Sequence, residues 1–125
     1  MACGGNPPVG PTPFGDVTAG TVTQFPEGTL TQVSMTPVFL GRDAGGFYAL
    51  TSTCTHAGCT VAAQGSGPTA QLACPCHGSL YDRNGAVVRG PAAVPLTHFA
   101  VEVANGNVII HGGTQVDAAT RTPAT

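Results

Sequence analysis

VEVANGNVII, residues 101–110, sets an Asn-Gly pair between two runs of β-branched residues. Asn and Gly tolerate the positive φ that tight hairpin turns require, so this stretch predicts two antiparallel strands joined by a two-residue turn. YDRNGAVV, residues 81–88, places Asn-Gly between strand-like stretches a second time. Outward from these hairpins, short apolar or β-branched runs are cut repeatedly by Gly and Pro: TVTQF (21–25), MTPVFLG (35–41) and GFYALTST (46–53). No segment of useful length carries a helical period, and no internal repeat is visible. The expectation is an all-β domain, a small antiparallel sandwich or barrel built of hairpins.

The 125-residue length suits one domain with a modest core. Gly 18 and Pro 11 make the chain turn-rich, and charged residues are only 8%. Residues 1–16 read as a flexible Pro/Gly-rich tether, residues 17–113 as the domain and residues 114–125 as a polar tail that frays or lies along the surface. Net charge is −2, there is no lysine, and the four arginines are scattered at 42, 83, 89 and 121. Nothing here forms a basic stripe for nucleic acid or a polybasic patch for anionic lipid. No apolar run reaches the ~18 residues of a membrane helix, and no leader opens the sequence, so any export signal is expected to have been removed.

Five cysteines in so short a chain point to a metal, a disulfide or both. CTHAGC (54–59) and CPCHGS (74–79) each supply one Cys–His pair and one further cysteine. Thiolate and imidazole together suit zinc or an iron–sulfur centre. Zinc ribbons use C-x2-4-C knuckles; a binuclear iron centre can instead replace two cysteines on one iron by two histidines. A structural zinc module therefore stands as one alternative.

The combination CTHAGC, CPCHGSLYD, GPA and PL resembles the two cluster-binding boxes and the following proline loop of Rieske iron–sulfur proteins, over about residues 46–112. The resemblance implies a Rieske fold with two cluster-binding loops at one end. Cys54 and Cys74 would hold one iron of a [2Fe-2S] cluster, with His56 and His77 on the other. Cys59 and Cys76 would form a disulfide tying the loops together, worth ~3 kcal/mol if the closed loop is about 15 residues. Pro91 would lie in the loop that covers the cluster. Gly58 and Gly78 would let the backbone turn tightly beside it. Ser79 and Tyr81 would tune the cluster by donating hydrogen bonds to a bridging sulfide and to a ligand thiolate. Histidine ligation raises the potential from about −400 mV to roughly −150 to +300 mV, because the oxidised centre then carries less negative charge.

Within the family, the disulfide pair with Ser79 and Tyr81 resembles the high-potential group of cytochrome bc and arsenite-oxidase-like proteins. The implied function is one-electron transfer between redox partner proteins, such as a cytochrome or a quinol oxidoreductase, with no catalysis by the chain alone. A retained disulfide implies an extracytoplasmic location such as the bacterial periplasm or cell surface. Cys3, after a small residue and before a Pro-rich tether, resembles the mature start of a bacterial lipoprotein, which implies a lipid anchor. The isolated domain is expected to be a monomer. The second reading is the soluble domain of the Rieske subunit of a quinol–cytochrome c reductase. Ala57, where such subunits commonly have leucine, counts against quinol docking. His98 and His111 are read as packing or surface residues, and Asp82 and Arg83 as a solvated turn.

Overall fold

The computed structural model describes residues 14–54, 59–65, 70–76, 78–92 and 94–124. Their structure is almost entirely antiparallel strands: β1 Asp16–Thr21, β2 Leu30–Gln32, β3 Val38–Asp43, β4 Gly46–Thr51, β5 Ala62–Gln64, β6 Gln71–Ala73, β7 Leu80–Asp82, β8 Val87–Arg89, β9 His98–Ala104 and β10 Asn107–Val116. Among the described residues a single 3-10 turn, Val22–Gln24, follows β1. The large sheet runs β1-β10-β9-β4-β3-β2 and the small one β5-β6-β7-β8. The small sheet is inserted between β4 and β9, neighbours in the large sheet, so both ends of the insertion leave from the same place.

The Asn-Gly hairpins form as expected. Asn105 and Gly106 take φ of 53° and 77°, and β9 and β10 pair from Ala104↔Asn107 outward. In the second hairpin Gly85 takes φ of 86°, and Asp82 Oδ1 accepts from the backbone N–H groups of Asn84 and Ala86.

Alternation along the strands divides the apolar side chains between two cores. On one face of the large sheet, Val38, Leu40, Phe47, Ala49, Phe99 and Ile110 pack together beneath Phe25. On the other, Phe39, Tyr48 and Leu50 meet Leu72 and Tyr81 of the small sheet, and this core also takes in Cys54 and Cys74.

Two expectations are revised at the edges of the domain. Strand β1 begins at Asp16, and Phe14 packs edge-on against Phe99 with centroids 5.1 Å apart, so ordered structure reaches into the expected tether. At the other end β10 continues to Val116. The chain beyond it lies along the domain: Thr122 pairs with Phe47, and Arg121 bonds Asp43 and stacks over Tyr48 at 4.1 Å. Of the two courses expected for the polar tail, it takes the one along the surface, held there mainly by backbone pairing and one arginine.

Arg83 also departs from the expected solvated turn. Its guanidinium reaches Tyr48 Oη at 3.3 Å and the carbonyls of Gly28 and Thr29, linking the small sheet to the large one.

Candidate metal centre

Two loops at one end of the small sheet carry the cysteines. Each loop closes on itself through the amide of its first cysteine. The Cys54 N–H donates to the Cys59 carbonyl at 2.7 Å, and the Cys74 N–H donates to the Ser79 carbonyl at 2.8 Å. Both bonds span five residues, so the two boxes form loops of matching size. Gly78 has φ of 79°, a backbone state L-residues rarely adopt; a Cβ there would meet nothing within 4 Å, so its requirement is conformational.

A disulfide joins Cys59 to Cys76, with Cα atoms 6.4 Å apart. This cross-link fastens the first loop to the second and removes both sulfurs from any set of thiolate ligands. The sulfurs of Cys59, Cys74 and Cys76 lie within 4.8 Å of one another, so Cys74 sits directly against the disulfide. Cys54 and Cys74 are 0% and 2% exposed. A zinc knuckle built on all four cysteines is therefore incompatible with the structure.

The hydroxyls sit where a buried sulfur centre could use them. Tyr81, fully buried on β7, places Oη 3.2 Å from Cys54 Sγ. Ser79 is also fully buried, and its Oγ accepts from the Ala92 N–H at 3.0 Å. Because that oxygen is already engaged as an acceptor, the hydroxyl proton points to another side. The same bond draws Ala92, which follows the cis Gly90–Pro91 peptide, onto the second box. His56, Gly58, His77 and Cys3 lie outside the described residues.

The sequence profile of the Rieske [2Fe-2S] domain matches residues 16–100. The chain belongs to the Rieske [2Fe-2S] domain family. Its Rieske relatives include the cytochrome b6-f complex iron-sulfur subunit of Synechococcus sp. (strain CC9605), 41% identical over 105 residues. That alignment covers 79% of this chain and 58% of the relative, so the chain spans little more than half of that protein's length. The corresponding subunit of Chlorobaculum tepidum (strain ATCC 49652 / DSM 12025 / NBRC 103806 / TLS) is 29% identical over 97 residues, covering 76% of this chain and 52% of that one.

Among solved structures, the cyanobacterial plasma membrane Rieske protein PetC3 from Synechocystis PCC 6803 superposes with a TM-score of 0.57 at 29% identity. The match covers 75% of this chain and 97% of that one. A complex of reduced oxygenase and oxidized ferredoxin in carbazole 1,9a-dioxygenase supplies another Rieske-fold match. It has a TM-score of 0.59 and 27% identity, covering 82% of this chain and 97% of the matched chain.

The group this family binds is a [2Fe-2S] cluster, and the residues present fit it. Two buried cysteines, a phenol aimed at one of their sulfurs and a disulfide clamping the two loops are the surroundings a sulfur-ligated centre needs.

Sequence reasoning missed two features around this site. Arg83 and Arg121 bracket Tyr48, which shares a core with Cys54 and Cys74. His98 is buried under Asn84, donating to its carbonyl at 2.7 Å through Nε2–H, while its Nδ1 is buried with no partner among the described residues. Burial holds the His98 pKa below 6.5, opposed in part by the Asn84 carbonyl. No spacing signal could have found these contacts, because they join residues 14 or more positions apart.

Proposed function

We propose that this chain is a one-electron carrier, passing electrons between redox proteins through a high-potential Rieske cluster and transforming no substrate on its own. The observation that carries the reading is the joined pair of loops, with Cys54 and Cys74 buried in one core and Cys59 linked to Cys76. In this reading Cys54 and Cys74 hold one iron, and His56 and His77 hold the other. When bound, the cluster supplies reversible one-electron redox chemistry. The residues of the chain do the rest. Tyr81 donates to the Cys54 thiolate, and Ser79 turns its proton toward the sulfur centre. Gly78 and Gly58 give the loops their turn, and Pro91 shapes the loop laid over them. Each donated hydrogen bond favours the more negative, reduced form and so raises the potential.

The proposal extends to location. A disulfide persists in oxidising compartments, which supports an extracytoplasmic site in a bacterial envelope. Cys3 would carry a lipid that tethers the domain, and the domain itself would be a monomer. Expression, iron and sulfide analysis, and electron paramagnetic resonance of the reduced protein test the reading. Two irons per chain and the low average g-value of a histidine-ligated centre are expected; a colourless protein carrying zinc would refute it.

A second reading is favoured by the relatives. Several are iron-sulfur subunits of a cytochrome b6-f complex, and this chain matches just over half of such a subunit. The chain would then be the cluster domain of a subunit in a quinol-oxidising cytochrome assembly. The upstream coding sequence separates the two readings: a lipid-attachment motif ahead of Cys3 supports the first, and a membrane helix supports the second.

A further inference from the structure

On the face of the large sheet opposite Val108 and Ile110, three ionisable side chains meet across three strands. Asp16 on β1 stands directly opposite His111 on β10, and Glu102 on β9 is the diagonal neighbour of His111 across the next pair. His111 Nδ1 lies 2.8 Å from Asp16 Oδ1, and Nε2 lies 2.9 Å from Glu102 Oε1. An ionised carboxylate only accepts, so both ring nitrogens must donate. A neutral imidazole has one N–H; the imidazolium has two. The geometry is therefore that of a protonated histidine.

We propose that His111 is a proton-operated clasp: as an imidazolium it ties edge strand β1 to β10 and β9, and on losing its proton it releases one of its two carboxylates. The release falls on the Asp16 side. Among the described residues strand β1 pairs with β10 alone, whereas β9 is held between β10 and β4. Asp16 is also the more exposed carboxylate, 69% against 53% for Glu102, so water takes its place at less cost.

What the clasp secures is the root of the N-terminal segment. Phe14, two residues before Asp16, lies against Phe99. It also occupies the space beside Gly112, where a Cβ would collide with its ring. Loosening Asp16 therefore loosens the point at which residues 1–13 join the domain.

Asp16 from β1 and Glu102 from β9 are the ionisable groups that face His111. His98, four residues before Glu102 on β9, is buried beneath Asn84, and the charges acting on it are those of Arg121, Asp117 and Asp82. The hydrogen bond to Asp16, then that to Glu102, raises the His111 pKa above 6.5. A raised folded-state value means the clasp is fully closed below pH 6.5 and opens as pH rises through the folded-state pKa.

The test is carried out on the full-length holoprotein. In 15N spectra at pH 6, both His111 ring nitrogens should be protonated, and Glu102→Gln should lower the titration midpoint. A residue that merely packed would not respond to that variant. Hydrogen exchange of β1 amides, corrected for intrinsic rate, should speed up roughly two- to fivefold as pH rises through the His111 midpoint, the range expected of exposed ion pairs. In His111→Gln this step should vanish, and high salt should shrink it in the wild type. A neutral His111 at pH 6, or a β1 exchange step that survives in His111→Gln, would overturn the proposal. If the chain proved to bind no iron, these outcomes would be unaffected, because Asp16, Glu102 and His111 are not among the residues that would hold the cluster.

Discussion

Tyr81→Phe removes one oxygen and leaves the ring. The ring is fully buried in one core with Leu72, its cross-strand partner on β6, and Cys54, so the substitution keeps the volume and opens no cavity. What it deletes is the contact between Oη and Cys54 Sγ at 3.2 Å. A hydrogen bond to a charged acceptor contributes about 1.5–3 kcal/mol. Only the part that strengthens when the sulfur becomes more negative affects the potential. Taking that part as about 1 kcal/mol, and about 1.4 kcal/mol as a tenfold factor equal to 59 mV for one electron, the potential should fall by ~45 mV. Protein-film voltammetry at pH 7 on the wild type and the variant measures this directly. Iron content and resonance spectrum must match first, to show that the cluster is intact. A potential unchanged within ~10 mV, or raised, would refute the claim that Tyr81 donates to a ligand sulfur.

Other outcomes follow from the same contacts. His56→Ala or His77→Ala should abolish the cluster; a variant with two irons and an unaltered spectrum would remove that histidine from the ligand set. Cys59→Ser with Cys76→Ser opens a cross-link between residues separated by 17 positions and should cost ~3 kcal/mol in denaturant melts, together with faster loss of iron. His98 is held neutral by burial, its folded-state pKa below 6.5. For a base whose folded-state pKa is lowered, the unfolded chain binds more protons, so stability is complete above pH 6.5 and should fall as pH drops from there toward the folded-state value; urea midpoints equal at pH 7.5 and pH 5 in His111→Gln, which removes the opposing His111 contribution, would contradict this. Gly46→Ala puts a Cβ against the Thr122 carbonyl at φ of 127°, and it should destabilise by about 1–3 kcal/mol, with the 117–124 segment becoming protease-sensitive.

The sequence alone determined the elements and the ligand types. Asn105-Gly106 and Asn84-Gly85 specify turns through backbone sterics, which act within a few residues. The strand alternation around them follows from the need to bury one face. The soft and imidazole side chains of CTHAGC and CPCHGS restrict the chemistry to zinc or iron–sulfur, and the family's pattern narrows it further. None of this needs the fold, because each signal is local.

The pairing across distance was decided only in the tertiary structure. Whether Cys59 meets Cys76, whether Tyr81 points at Cys54 and whether Ser79 receives the Ala92 amide depend on how the small sheet lies on the large one. Arg83 and Arg121 look like ordinary surface charges in the sequence, yet packing places both against Tyr48, where burial and ring contact give them structural work. His98 and His111 show the difference most plainly. They are identical side chains on adjacent strands, and one is held neutral by burial while the other is held charged by two carboxylates. A histidine's proton is set by the dielectric and the charges around it, and those are brought together only when strands distant in sequence pair.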